Sequence, residues 1–163
     1  MKSVMLSIKP KWCEMIASGR KTIEVRKTRP KIETPFKCYI YQTFDGRTNS
    51  IDIFENNLGK VIGEFVCDAI ITDRTLGHDG LFYGAACMTA AEVAAYATST
   101  VYGWHISDLV IYDEPRELSE FLRINRECWY ADLGLAKRDC PECKNAECFV
   151  SRPPQSWCYV EAV

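Results

Sequence analysis

The stretch Ile16-Ala17-Ser18-Gly19-Arg20-Lys21-Thr22-Ile23-Glu24-Val25-Arg26 changes its period in the middle. Upstream of it, Trp12, Met15 and Ile16 mark one helical face behind Pro10, a residue suited to a first helical turn. Gly19 is the natural stop, because glycine adopts the left-handed conformation of a helix C-terminus at least cost. From Thr22 the period becomes two. Ile23 and Val25 point one way, while Thr22, Glu24 and Arg26 point the other. The stretch predicts a helix, a glycine stop and a strand with three polar side chains on one face. Such a triplet facing a cleft is costly unless it is paired or used.

Working outward, Val4, Leu6 and Ile8 alternate within residues 3–8, which reads as an opening strand. Pro30 and Pro35 bracket a loop. Cys38 to Thr43 reads as a strand, and the polar residues 45–58 as a long loop. Lys60 to Thr72 reads as one long strand with a bulge or bend at Gly63. Thr89-Ala90-Ala91-Glu92 is a capping-box start for a helix running to about Ala97. Ile106 to Tyr112 reads as a strand. Pro115, Leu118, Phe121 and Leu122 suggest a short helix. Residues 126–156 are irregular, and Trp157 to Ala162 alternates as a closing strand. Strands and helices do not alternate regularly, which argues against a doubly wound parallel sheet. The expectation is an α+β fold: a small mixed or antiparallel sheet, closed or strongly curled, with helices at its ends.

A length of 163 residues predicts a single domain spanning 1–163. With 47% hydrophobic and 26% charged residues, the composition excludes disorder over most of the chain. Apolar runs such as Ala85-Ala86-Cys87-Met88 are far too short for a membrane span. Lys9 and Lys11 interrupt the N-terminus too early for a secretory leader, so the expected location is cytoplasmic.

The net charge of −2 conceals an asymmetry. Residues 1–40 hold ten Lys/Arg against three acids, a net +7. The rest of the chain holds ten basic and nineteen acidic residues, a net −9. Eight of the ten early cations fall between Lys9 and Lys31, which predicts a basic face suited to phosphate opposite an acidic body.

The segment Gly19-Arg20-Lys21-Thr22-Ile23-Glu24-Val25-Arg26 resembles the G-x-K-x-x-E-x-R signature of ASCH domains, a branch of the PUA-like superfamily. The opening strand with Lys9-Pro10, the Tyr39-Ile40-Tyr41 strand and Lys60-Val61-Ile62-Gly63-Glu64 follow the same order. Tyr102 to Phe121 and the closing Pro153-Pro154-Gln155-Ser156-Trp157 agree as well. The resemblance covers residues 1–75 and 100–163, with apparent insertions at about 76–99 and 126–150. It implies a small curled β-barrel with peripheral helices, a Cys-rich loop insertion and a cleft that binds RNA or a nucleotide-like ligand. One similar bacterial subgroup hydrolyses N4-acetylcytidine, using the motif lysine, a threonine and a downstream glutamate. This chain has Glu24 where that subgroup has its second threonine, leaving Thr22. Glu64 and Glu92 are the candidates for the downstream acid.

The motif's chemistry can be read directly. Arg26 offers a planar fork to a phosphate or a base edge. Glu24 can accept from an amino group or hold Arg26, and Lys21 can neutralise a phosphate. Desolvation beside Arg20 and Arg26 would favour a neutral, nucleophilic Lys21 amine. The ligand-binding set is therefore Lys9, Lys21, Thr22, Glu24 and Arg26. Tyr41, Trp104, His105 and Trp157 are added for stacking, with Gln155 and Ser156 beside them. The catalytic set, if the protein is an enzyme, is Lys21, Thr22 and Glu24. The bland alternative is that Glu24 and Arg26 are an ordinary surface pair, Lys21 is solvated and the tryptophans are core.

Nine cysteines cannot all pair internally. Cys13, Cys38, Cys67 and Cys87 lie among apolar residues and read as small core hydrophobes. Cys140-Pro-Glu-Cys143-Lys-Asn-Ala-Glu-Cys148 has the C-x2-C spacing of a zinc knuckle. Cys128 is the favoured fourth ligand, with Cys158 and His105 as alternatives. A structural zinc would stabilise a loop that has little else to pack. Free surface thiols are the competing reading.

Three functions are in play. The favoured one is a module that binds RNA or a modified nucleotide through the basic cleft. The second is an amidohydrolase acting on an acylated nucleoside, with Lys21 as nucleophile or base. The third is a protein-interaction adaptor whose acidic body or cysteine loop meets a partner.

Overall fold

The computed structural model describes residues 2–44, 57–72, 80–123 and 149–162. The order of elements is β1 (Ser3–Ile8), α1 (Pro10–Ala17), β2 (Ile23–Arg26), β3 (Phe36–Gln42), β4 (Val61–Cys67) and β5 (Ile70–Thr72). There follow α2 (Leu81–Ala86), α3 (Ala90–Tyr96), β6 (Tyr102–His105), β7 (Ser107–Arg116), a 3-10 turn (Leu118–Glu120), β8 (Phe121–Arg123) and β9 (Trp157–Ala162).

The strands form two sheets. A six-stranded sheet runs β7-β4-β3-β1-β9-β8, and a three-stranded sheet runs β2-β6-β5. The mixed character expected from the sequence is present, since β1 runs parallel to β3 and antiparallel to β9. The expected barrel is not: among the described residues the strands do not close on themselves. The motif strand β2 leaves the large sheet altogether and pairs with β6.

β1 is central, so it is buried on both faces and its alternation sorts side chains between two cores. Val4, Leu6 and Ile8 enter one cluster with Cys13 and Ile16 of α1, Phe65 and Trp104. Met5 enters the other with Tyr39, Tyr41, Phe121 and Val160. A third cluster fastens α2 and α3 to the small sheet through Ile23, Val25, Phe82 and Val93. α1 begins with Pro10 and gives way to Gly19 at φ +72°, as its sequence predicts. α3 carries the predicted capping box: Thr89 accepts from the Glu92 N–H and Glu92 accepts from the Thr89 N–H.

Three expectations need correction. The single strand drawn over Lys60–Thr72 breaks at Asp68-Ala69, and β5 pairs with β6 instead of continuing along β3. The Ala69 carbonyl accepts from the His105 N–H at the break, which ties the departing chain to the small sheet. The helix expected around Leu118–Leu122 is a 3-10 turn followed by β8. Phe121 is fully buried there, and pairing with β9 overrides the helical spacing. Pro115 lies within β7, an edge strand where its missing donor is tolerated. Gly63 is the predicted irregularity: register shifts flank it, and a Cβ there would strike the Val110 carbonyl.

Candidate functional site

The turn after α1 delivers Lys21 inward. Its N–H donates to the Met15 carbonyl, and its side chain is almost wholly buried. Nζ donates to the Ala86 carbonyl at 2.7 Å, at the C-terminus of α2, where the helix favours a cation. The same ammonium lies 3.5 Å from Glu24 Oε2 and 4.9 Å from the centre of the Trp12 ring.

β2 then places Glu24 and Arg26 side by side on one face. Arg26 Nη2 lies 3.0 Å from Glu24 Oε1 and donates to the Ser7 carbonyl at 2.8 Å. Arg26 Nη1 donates to Ser156 Oγ at 3.5 Å. Lys21, Glu24 and Arg26 are 2%, 6% and 6% exposed, so this is a buried three-charge cluster rather than a surface pair with a solvated lysine. It is incompletely satisfied. Among the described residues, Arg26 Nε and Glu24 Oε2 have no hydrogen-bond partner, although Lys21 gives Oε2 an ionic neighbour. Buried charge in that condition is expensive, and a bound polar group can relieve it.

The cluster floors a cleft of about 850 Å³. α1 contributes Trp12, and α3 contributes Glu92 and Tyr96. Lys27 and Thr28 continue the wall from β2, and Pro153 to Ser156 close it. Lys27 Nζ sits 4.8 Å from the centre of the Tyr96 ring. Burial is the main reason the Tyr96 phenol is pushed up; Arg26 opposes the shift and Glu24 adds to it. Behind the floor, burial and then Glu24 push the Cys13 thiol up, so it stays protonated as a small core group.

Of the residues singled out from sequence, Lys9, Lys21, Glu24, Arg26, Gln155 and Ser156 come together in this cleft. Others lie elsewhere. Thr22 is exposed; its backbone N–H donates to Ala85 and its carbonyl accepts from Ile106, which fixes the turn. Trp104 is fully buried, edge-on to Phe36, and cannot offer a face to a ligand. Tyr41 belongs to the core on the other face of the large sheet. His105 Nδ1 pairs with Asp68 Oδ1 at 2.6 Å, and this hydrogen bond is the main cause that holds the Asp68 carboxyl below its usual range. Trp157 packs on Trp104 and Tyr159 and donates from Nε1 to Thr28 Oγ1 at 3.0 Å, buttressing the cleft wall.

The sequence reading missed Trp12 and Tyr96 as cleft residues. Both look like helical packing residues by spacing. Only the docking of α1 and α3 in separate core clusters brings both side chains to one cleft. Cys128, Cys140, Cys143 and Cys148 lie outside the described residues. Among the described residues no group of three or more His, Cys, Asp or Glu is arranged to hold a metal. No described helix is long and apolar enough to cross a membrane.

Residues 6–79, which carry the motif strand and the floor of the cleft, match the sequence model of the ASCH domain. That segment is similar to an ASCH domain. The crystal structure of ASCH from Zymomonas mobilis superposes on this chain with a TM-score of 0.61 at 19% identity, covering 98% of this chain and 87% of that one. A tyrosine-to-phenylalanine mutant of the Zymomonas mobilis protein gives 0.61 at 18% identity, with 99% and 91% covered. A serine-to-alanine mutant gives 0.59 at 18%, with 98% and 88% covered. At these identities the likeness shows a shared fold. No curated protein is similar enough to the chain to count as a match.

Proposed function

We propose that this chain, whose residues 6–79 are similar to an ASCH domain, binds RNA or a modified nucleotide in the cleft floored by Lys21, Glu24 and Arg26. The observation that carries the reading is the buried, incompletely satisfied cluster at the base of a concave space with cationic and aromatic walls. Arg26 and Glu24 set a donor beside an acceptor, the pattern a base edge presents in complement. Lys9 and Lys27 supply positive charge to a phosphate, and Trp12 and Tyr96 supply stacking surface. The test is fluorescence anisotropy with a mixed-sequence single-stranded RNA, competed with nucleoside monophosphates. Binding should weaken linearly on log axes as salt rises. Arg26→Ala should weaken it roughly 10- to 100-fold, the range for hydrogen bonds to charged groups. Absence of binding to both probes at low salt would overturn the reading.

A second reading is hydrolysis of an acylated nucleoside such as N4-acetylcytidine. It is favoured by the Lys21 amine lying 3.5 Å from the Glu24 carboxylate. Other features weigh against it. Thr22 is exposed, and Glu92 is engaged by Thr89 through its N–H and Oγ1. Glu64 lies outside the cleft lining, bonded to Lys37 and Tyr112. Incubation with N4-acetylcytidine decides the matter, since turnover that is lost in Lys21→Ala would establish it. The spacing of Cys128, Cys140, Cys143 and Cys148 supports a structural zinc as a separate stabilising element.

A further inference from the structure

We infer that the ligand is a strand rather than a single nucleotide, its flanking phosphates lying over Arg29 and Lys31 outside the cleft. This rests on the nucleotide reading of the cleft and extends it along the chain that leaves β2. Lys27 and Thr28 still line the cleft, and the next residues open a second concavity of about 540 Å³. Arg29, Lys31, Thr34, Ile32 and Ile70 line it, with Glu33 as the single acid.

Three features make this segment an anion path. Its cations are unengaged. Four exposed or half-exposed cations elsewhere have carboxylate partners, Arg20 with Glu14, Lys37 with Glu64, Lys60 with Glu117 and Arg116 with Glu120, whereas Lys9 and Lys27 of the cleft lining have none among the described residues. Arg29 and Lys31 are exposed and form no ion pair among the described residues. The segment is also held in place. Thr28 Oγ1 accepts from Trp157 Nε1 at 3.0 Å, and the Lys31 N–H donates to the Tyr159 hydroxyl at 2.7 Å. A pinned backbone presents its cations at reduced entropic cost. A further cation, Lys2, lies with Nζ 3.9 Å from the centre of the same Tyr159 ring. Lastly, the segment follows directly in the chain on Lys27 and Thr28 of the cleft wall. A flexible polyanion can run from a concave cleft onto a neighbouring surface, whereas a flat lipid surface cannot enter the cleft.

The test compares wild type with Arg29→Ala/Lys31→Ala, two exposed positions outside the cleft lining. The probes are a fluorescein-labelled ten-nucleotide single-stranded RNA of mixed sequence, a mixture of nucleoside 5′-monophosphates and phosphatidylserine vesicles. We expect the ten-mer to bind more tightly than the monophosphates. In the double variant the log–log salt slope for the ten-mer should shrink by about 1.4, two phosphate contacts at about 0.7 each. Monophosphate affinity should be unchanged. Equal ten-mer and monophosphate affinities, or an unchanged slope, overturn the strand inference while leaving the cleft reading standing. Vesicle binding that is lost in the variant while RNA binding is untouched also overturns it. Failure of wild type to bind either nucleotide probe sinks the cleft reading itself.

Discussion

Arg26 Nη2 lies 3.0 Å from Glu24 Oε1, and both side chains are less than a tenth exposed. Two residues apart on a short strand, they share a face that packing has turned inward rather than to solvent. Lys21 joins them from the preceding turn, so a single carboxylate faces two buried cations.

Glu24 is therefore the most sensitive member of the cluster. Glu24→Ala leaves both cations buried without their counter-charge, and breaking such a pair costs about 3–5 kcal/mol. Urea unfolding should report that loss as a lower midpoint at unchanged slope. A loss below about 1 kcal/mol, the level of an exposed pair, would contradict the buried-cluster account.

Trp12 should matter for ligand more than for fold. It is only half-buried, whereas Cys13 and Ile16 carry the inward face of α1. Trp12→Ala should weaken RNA binding by about 1–3 kcal/mol, and Trp12→Phe should keep much of the affinity. If Trp12→Ala binds like wild type, the indole is not a stacking surface.

Acid should expose the Glu64 network. Burial alone would raise the Glu64 carboxyl, but hydrogen bonds from Lys37 Nζ and Tyr112 Oη, both 2.6 Å, hold it below its ordinary value. A carboxyl lowered by folding contributes stability above its unfolded value of about 4.3, and the contribution is lost as pH falls through the folded value. Tyr112→Phe removes one of the two donors. Its destabilisation should be largest above about pH 5 and shrink on further acidification. A pH-independent difference between the two proteins would show that the hydroxyl acts only through packing.

Metal analysis addresses the cysteine loop. Protein purified under reducing conditions should hold about one zinc per chain, and Cys140→Ser/Cys143→Ser should release it. Chelation should lower the thermal midpoint of wild type and leave the double variant unaffected. Protein without zinc that is as stable as metal-loaded protein would dispose of the assignment.

Local chemistry was the legible part of this chain. The Pro10 start, the Gly19 stop and the Thr89–Glu92 box each depend on neighbours in sequence, and each is present. The motif face was legible too, because strand alternation alone puts Glu24 and Arg26 together. Long-range pairing was not. Nothing in Lys60–Thr72 says that its last residues abandon β3 for β6, and nothing near Leu118 says that Phe121 is claimed by a distant core. α2 has only six residues with Gly84 inside it, too few to display a period. The aromatic lining of the cleft is hidden from sequence for the same reason. Whether a tryptophan faces core or cleft depends on which element docks against it, so Trp104 was offered and Trp12 overlooked.

The reach of Arg26 bears on what any shorter piece of this protein can do. Its partner Ser156 stands 130 positions away, and β2 is paired by residues 102–105. A fragment trimmed to 6–79 would keep every letter of the signature. It would lack β6, the α2 carbonyl that receives Lys21, both α3 wall residues and the Pro153–Ser156 rim. The motif can be cut out of the sequence, but the site it builds cannot be cut out of the fold.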